Sequence, residues 1–173
     1  YASLGEYNIV GELDLPPLTV LGGPKQNVVI FNGNTTPDDF NGTDFGFTIP
    51  GAPLISTFSL KNFGLTETIE NIQVSFAGGP TSPFSVSGVA PTSIAPERER
   101  FIDIAYEPTA VGVDNDTLII NYDVDGESRD YRFAIRGFAV ESLNKDNYEE
   151  NDNANEGVPY DLNSVEGIPL SAY

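Results

Sequence analysis

Across residues 27–140 the chain alternates short runs of β-branched and aromatic residues with clusters of Gly, Pro, Asn and Asp, and no stretch sustains a helical period. This pattern predicts strands. The cleanest alternation sets Leu118, Ile120, Tyr122 and Val124 on one face against Ile119, Asn121 and Asp123 on the other. Directly after it, Tyr131, Phe133 and Ile135 face inward while Arg132, Ala134 and Arg136 face out, and the intervening Asp125-Gly126 tolerates positive φ. The two runs predict a hairpin. Upstream, Leu54, Phe58 and Leu60 alternate with Ile55, Thr57 and Ser59, and Ile72, Val74 and Phe76 alternate with Asn71, Gln73 and Ser75. Apolar runs at residues 28–31, 84–86 and 101–106 bring the expected number of strands to about seven, at spacings that suit an all-β antiparallel sandwich.

The two ends read differently. Residues 1–26 hold Pro16-Pro17 and Gly22-Gly23-Pro24 around a strand-sized apolar piece, Leu18, Val20 and Leu21 among it, which has no core of its own. Residues 141–173 contain eight acids, one lysine and six asparagines, and end in a second strand-sized piece carrying Ile168 and Leu170. The expected organisation is therefore an extended segment at 1–26, a sandwich at 27–140, and an acidic linker with an extended C-terminal strand segment at 141–173.

With 173 residues, 39% of them hydrophobic and 11% aromatic, the chain has enough apolar material for one core. It holds no Cys, His, Met or Trp, which removes thiolate nucleophiles, disulfides, the usual zinc and copper ligands and every triad that uses imidazole. Its 8 bases against 26 acids give a net charge of −18, a field that repels phosphate backbones and anionic lipid headgroups. Nucleic acid is not an expected partner, and no apolar run is long enough for a membrane-spanning helix. Hard cations, calcium above all, are the partners that such a surface favours, although acidity for solubility is the simpler account of the charge. A start at Tyr1 without a signal-like segment suggests a processed protein or a fragment.

Candidate chemistry is confined to carboxylates and asparagines. Asp146, Glu149, Glu150 and Asp152 offer oxygen ligands for calcium within a few residues, but without the fixed spacing of a helix-loop-helix calcium loop, so a solvated linker explains them as well. Asp38, Asp39 and Asp44 either add cation ligands or cap their own loop. A carboxylate pair working as glycosidase acid and base would need a cleft, and the acids here sit in predicted turns. Asn34, Asn41 and Asn115 head Asn-X-Ser/Thr sequons, all in predicted turns, and are candidate glycosylation sites. Eight tyrosines leave carbohydrate binding open.

Six blocks carry a family resemblance. Asn32-Gly33-Asn34-Thr35-Thr36-Pro37 with Asn41-Gly42-Thr43-Asp44-Phe45-Gly46, then Phe58-Ser59-Leu60-Lys61-Asn62, Ser93-Ile94-Ala95-Pro96, Tyr106-Glu107-Pro108-Thr109-Ala110-Val111-Gly112 and Tyr131-Arg132-Phe133-Ala134-Ile135-Arg136-Gly137 occur in family order. They resemble the bacterial choice-of-anchor D domains, Ig-like sandwiches related to the ASPM, SPD-2 and Hydin group. The resemblance covers about residues 27–139 and implies a non-enzymatic module of large secreted or surface-anchored proteins. Pro96-Glu97-Arg98-Glu99 departs from it where the family carries a Gly-rich turn. Further on, Asp146-Asn147-Tyr148-Glu149-Glu150-Asn151-Asp152-Asn153-Ala154 and Gly167-Ile168-Pro169-Leu170-Ser171 resemble the opening of a bacterial pre-peptidase C-terminal domain.

These readings combine into one expectation: a non-catalytic extracellular subunit of a filament, stalk or surface layer. Leu18, Val20 and Leu21, or Ile168 and Leu170, would add a strand to a neighbour and make the protein a homo-oligomer or polymer. The alternative is a calcium-dependent module that binds glycans or another surface ligand.

Overall fold

The computed structural model describes residues 17–141. Nine strands follow in order: β1 Leu18–Gly22, β2 Val28–Ile30, β3 Asp44–Thr48, β4 Leu54–Asn62, β5 Glu70–Phe76, β6 Phe84–Ser87, β7 Glu99–Tyr106, β8 Gly112–Val124 and β9 Glu127–Ala139. The one helical turn among the described residues is a 3-10 turn at Gly79–Thr81. One sheet has the order β2-β1-β4-β7-β6 and the other β3-β9-β8-β5. All pairs are antiparallel except β3 with β9. This is an Ig-like β-sandwich, with two strands more than the hydrophobic pattern predicts.

The predicted hairpin is present, with β8 and β9 in continuous register from Gly112 opposite Ala139 to Val124 opposite Glu127. Asp125 and Gly126 turn it at φ of 53° and 74°, the left-handed pair that a two-residue loop between right-twisted strands requires. Inward residues from both sheets form one core that includes Phe58, Leu60, Ile102, Ile104, Leu118, Ile120, Phe133 and Ile135. Rings in it meet edge to face, as their quadrupoles prefer: the centroids of Phe58 and Phe133 lie 5.5 Å apart with the planes at 63°.

β1 corrects the expected domain boundary. The segment 18–21 is an interior strand, paired through Val20 with Ile30 of β2 on one side and Leu60 of β4 on the other. Leu18 and Val20 are fully buried, so the sandwich begins at Leu18, and residues 18–26 belong to it. At the far side of this strand, Gly22 lies where a Cβ would stand 2.0 Å from the Asn41 carbonyl oxygen, which holds the 38–43 loop tight against β1.

β3 was hidden in the loop signature. Gly46, at φ of 77°, and a register shift between Asp44 and Phe47 bend it, yet it still lies along β9. Just before it, Gly33 donates to the Arg132 carbonyl at 2.7 Å and Ala134 donates to the Asn34 carbonyl at 2.8 Å, so residues 33–34 cover more of the same edge of β9.

Buried polar side-chain atoms are paired throughout the described residues. Asn62 is fully buried and closes three turns of chain: its amide donates to the Glu67 and Ile94 carbonyls at 2.8 and 3.0 Å, and its Oδ1 accepts from the Gly64 N–H at 2.8 Å. The Tyr106 hydroxyl donates to Asp114 at 2.8 Å, and that of Tyr131 donates to the Ile30 carbonyl.

Candidate interaction surface

The sandwich offers other molecules its faces, its loops and its four edge strands. Three edges are blunted. β2 has only three residues. β3 carries Asp44 and is bent at Gly46. β6 has four residues beginning after Pro83, and its first N–H, that of Phe84, is taken by the Ser82 hydroxyl at 3.1 Å. Short length, charge, bends and proline are the usual protections of an edge.

The fourth edge, β5, is protected along half its length. Its first half is bulged at Asn71, φ of 52°, and the N–H groups of Ile69 and Ile72 donate outward to the Ile94 and Thr92 carbonyls at 3.0 and 3.1 Å. Its second half, Gln73, Val74, Ser75 and Phe76, contains no charge, Gly or Pro, and pairs with β8 on its inner side only. Among the described residues no main-chain hydrogen bond is made on its outer side.

Two faces complete the surface. On the outer face of the five-stranded sheet, Val29, Leu21, Ser59 and Phe101 form one row in register across β2, β1, β4 and β7, with Ile55 exposed nearby. Across the other sheet runs a shallow concavity of about 690 Å³, lined by Gly33, Asn34, Thr35, Asn115, Thr117 and Ala134 among others. Beside it the Arg136 guanidinium pairs with Asp44 and lies 4.8 Å over the Phe138 ring, which stacks on Phe47. Among the described residues no three acidic side chains stand together as a metal ion requires.

Burial raises the pKa of three tyrosines. The pKa of Tyr106 stands well above the ordinary tyrosine range, first through desolvation, then through its hydrogen bond to Asp114 and the charge of that carboxylate. Tyr122 and Tyr131 shift the same way, again mainly by burial. Asp123 moves down, because Ser128 and Asn71 donate to its charged form.

The sequence-predicted site residues fall into three groups. Leu18 and Val20 lie in the core and Leu21 on the outer face of β1, a strand already paired on both sides, so they are not a free joining segment. Of the sequons, Asn41 is 7% exposed and its Oδ1 accepts from the Thr43 N–H and hydroxyl, which makes it a structural residue. Asn34 caps its own turn by accepting from Thr36, and Asn115 is an exposed residue within β8, opposite Arg136, where a turn was expected. Asp38 binds the Phe40 N–H and Asp44 the Gly46 N–H, so these acids cap their loop. Asp146, Glu149, Glu150, Asp152, Ile168 and Leu170 lie outside the described residues. The alternation at residues 72–76 marks a strand and nothing more, since its edge position depends on the order of the sheet.

A scan of family models and a search of curated proteins each return no match. Among solved structures, the ASH / PapD-like domain of human CEP192 (PapD-like domain 7) is 14% identical with a TM-score of 0.51, covering 82% of this chain and 99% of that chain. Vibrio cholerae VesB protease is 12% identical at a TM-score of 0.51, covering 72% of this chain and 32% of that one. SSP-19, an MSP-domain protein like family member in Caenorhabditis elegans, is 14% identical at 0.42. The first two of these likenesses, at this identity, establish the Ig-like fold alone. The choice-of-anchor D resemblance accordingly holds at the level of an Ig-like sandwich.

Proposed function

We propose that the chain is a non-catalytic structural module of an extracellular or cell-surface assembly, joined by β-strand addition from a terminal segment of a neighbouring copy. The observation that carries this reading is the uncharged, unpaired half of β5. Main-chain groups held extended and open to solvent gain hydrogen bonds at small ordering cost when another strand arrives. The absence of His and Cys from the sequence supports the non-catalytic part of the reading.

Of the two apolar pieces expected to join copies, the one at residues 168–170 is the one not built into a sheet of the described residues. β1 is built into its own core, so deletion of residues 1–23 removes an interior strand and unfolds the sandwich. Deletion of residues 157–173 leaves all nine strands in place. Light scattering and electron microscopy of the full chain and of this C-terminal truncation test the proposal. Polymers that vanish with the truncation while the truncated chain still unfolds in one cooperative thermal transition support it. Polymers of unchanged size in the truncation, or solitary full-length chains at every concentration, overturn it.

A further inference from the structure

We infer that the joining strand is residues 167–172 of a second copy, lying antiparallel along the bare half of β5 with Leu170 opposite Val74 and Ile168 opposite Phe76. The inference rests on the strand-addition reading above and adds to it the edge, the donor and the register.

The direction of each main-chain group on β5 follows from two bonds. Ala77 donates inward to the Thr117 carbonyl at 3.0 Å, and Ile72 donates outward to the Thr92 carbonyl at 3.1 Å. Main-chain groups alternate along an antiparallel strand. Those of Gln73 and Ser75 therefore face β8, and those of Val74 and Phe76 face outward. The side chains of the same two residues are half-buried against the core, where Phe76 stacks on Phe84 with ring centroids 6.5 Å apart. Residues directly opposite across a ladder share a face, so an arriving strand must place apolar residues two apart opposite Val74 and Phe76.

Residues 167–172 read Gly-Ile-Pro-Leu-Ser-Ala and meet that requirement with Ile168 and Leu170. Pro169 makes the register selective. A proline is tolerated in a ladder only where its missing N–H faces away from the partner. With Ile168 and Leu170 exchanging bonds with Phe76 and Val74, Pro169 faces away. A shift by one residue would set Pro169 in a bonded position and turn both apolar side chains to solvent. Charge points the same way. Two copies at −18 repel each other, and here both the donor segment and the bare half of β5 are uncharged.

The test uses the full chain, which holds no cysteine. In this register Gln73 and Ser171 form a non-hydrogen-bonded pair with Cα atoms about 4.5 Å apart, within disulfide range. Chains carrying Gln73→Cys and chains carrying Ser171→Cys are mixed and oxidised, with Glu127→Cys at the far hairpin replacing Gln73→Cys as the control. A disulfide-linked heterodimer is expected to form about tenfold faster than in the control, because pairing holds the thiols at high effective concentration. A rate equal to the control overturns the inference. So does a disulfide that forms only within a chain carrying both substitutions, which would make the chain's own tail the occupant. Light scattering of the unsubstituted chain runs alongside. Assembly with control-level crosslinking defeats this edge and register and spares the strand-addition reading, whereas the absence of any assembly defeats both.

Discussion

Replacement of Leu18 by alanine tests whether β1 belongs to its own sandwich. The side chain is fully buried, and the strand is held on both sides by β2 and β4, so the backbone cannot collapse into the space left behind. Leu→Ala changes at such sites cost about 2–5 kcal/mol. With little room to relax, about 3 kcal/mol is expected, which lowers the melting temperature by roughly 10 °C in a domain of this size. Leu21→Ala, half-buried on the outer face of the same strand, should cost about 1 kcal/mol or less. Urea unfolding followed by tyrosine fluorescence measures both. A loss below about 1 kcal/mol for Leu18→Ala, equal to that for Leu21→Ala, would refute the placement, because surface substitutions fall in that range. In the truncation lacking residues 157–173, which cannot join through its tail, an unfolding midpoint that rises with protein concentration would also refute it, since β1 would then come from another copy.

Three further outcomes are expected. Gly137→Ala puts a Cβ 2.3 Å from Cε1 of Tyr106, a ring already stacked on Phe84 and tied to Asp114, so overpacking should cost about 1–3 kcal/mol in the same urea assay. Stability should fall as pH rises above about 10, where unfolded tyrosine loses its proton while buried Tyr106, Tyr122 and Tyr131 keep theirs and the folded state binds more protons. Urea midpoints on either side of that pH show the slope, and Tyr106→Phe should reduce it. Expression in a host that glycosylates Asn-X-Ser/Thr should modify Asn115 and leave Asn41 bare, since the latter side chain is buried and bonded to Thr43; equal occupancy by mass spectrometry would contradict its placement.

Strands with a full run of alternation were legible in the sequence because each has one core face and one solvent face. β8 and β9 are the clearest, and Asp125-Gly126 named their turn. β1 was legible as a strand-sized piece, but its place was not, since nothing local links Leu18 to Asn62 across the sheet. The first half of β8 was missed for a chemical reason. Asp114 reads as a loop residue, yet its carboxylate accepts from Tyr106, which lets a charged side chain stand in a strand. β3 was lost among Asn, Gly and Asp because its ladder is interrupted at Gly46. The apolar alternation of β5 was plain, whereas its exposed edge became visible only with the order of the sheet.

Amide hydrogen exchange at Val74 and Phe76, followed as the protein is concentrated, tests the central claim most directly. Ile72 serves as the internal reference, since its amide is already bonded to Thr92. Strand addition predicts that Val74 and Phe76 exchange quickly in dilute solution and slow markedly as copies associate, with Ile72 unchanged. Fast exchange at both positions in fully assembled material would show that the copies join elsewhere.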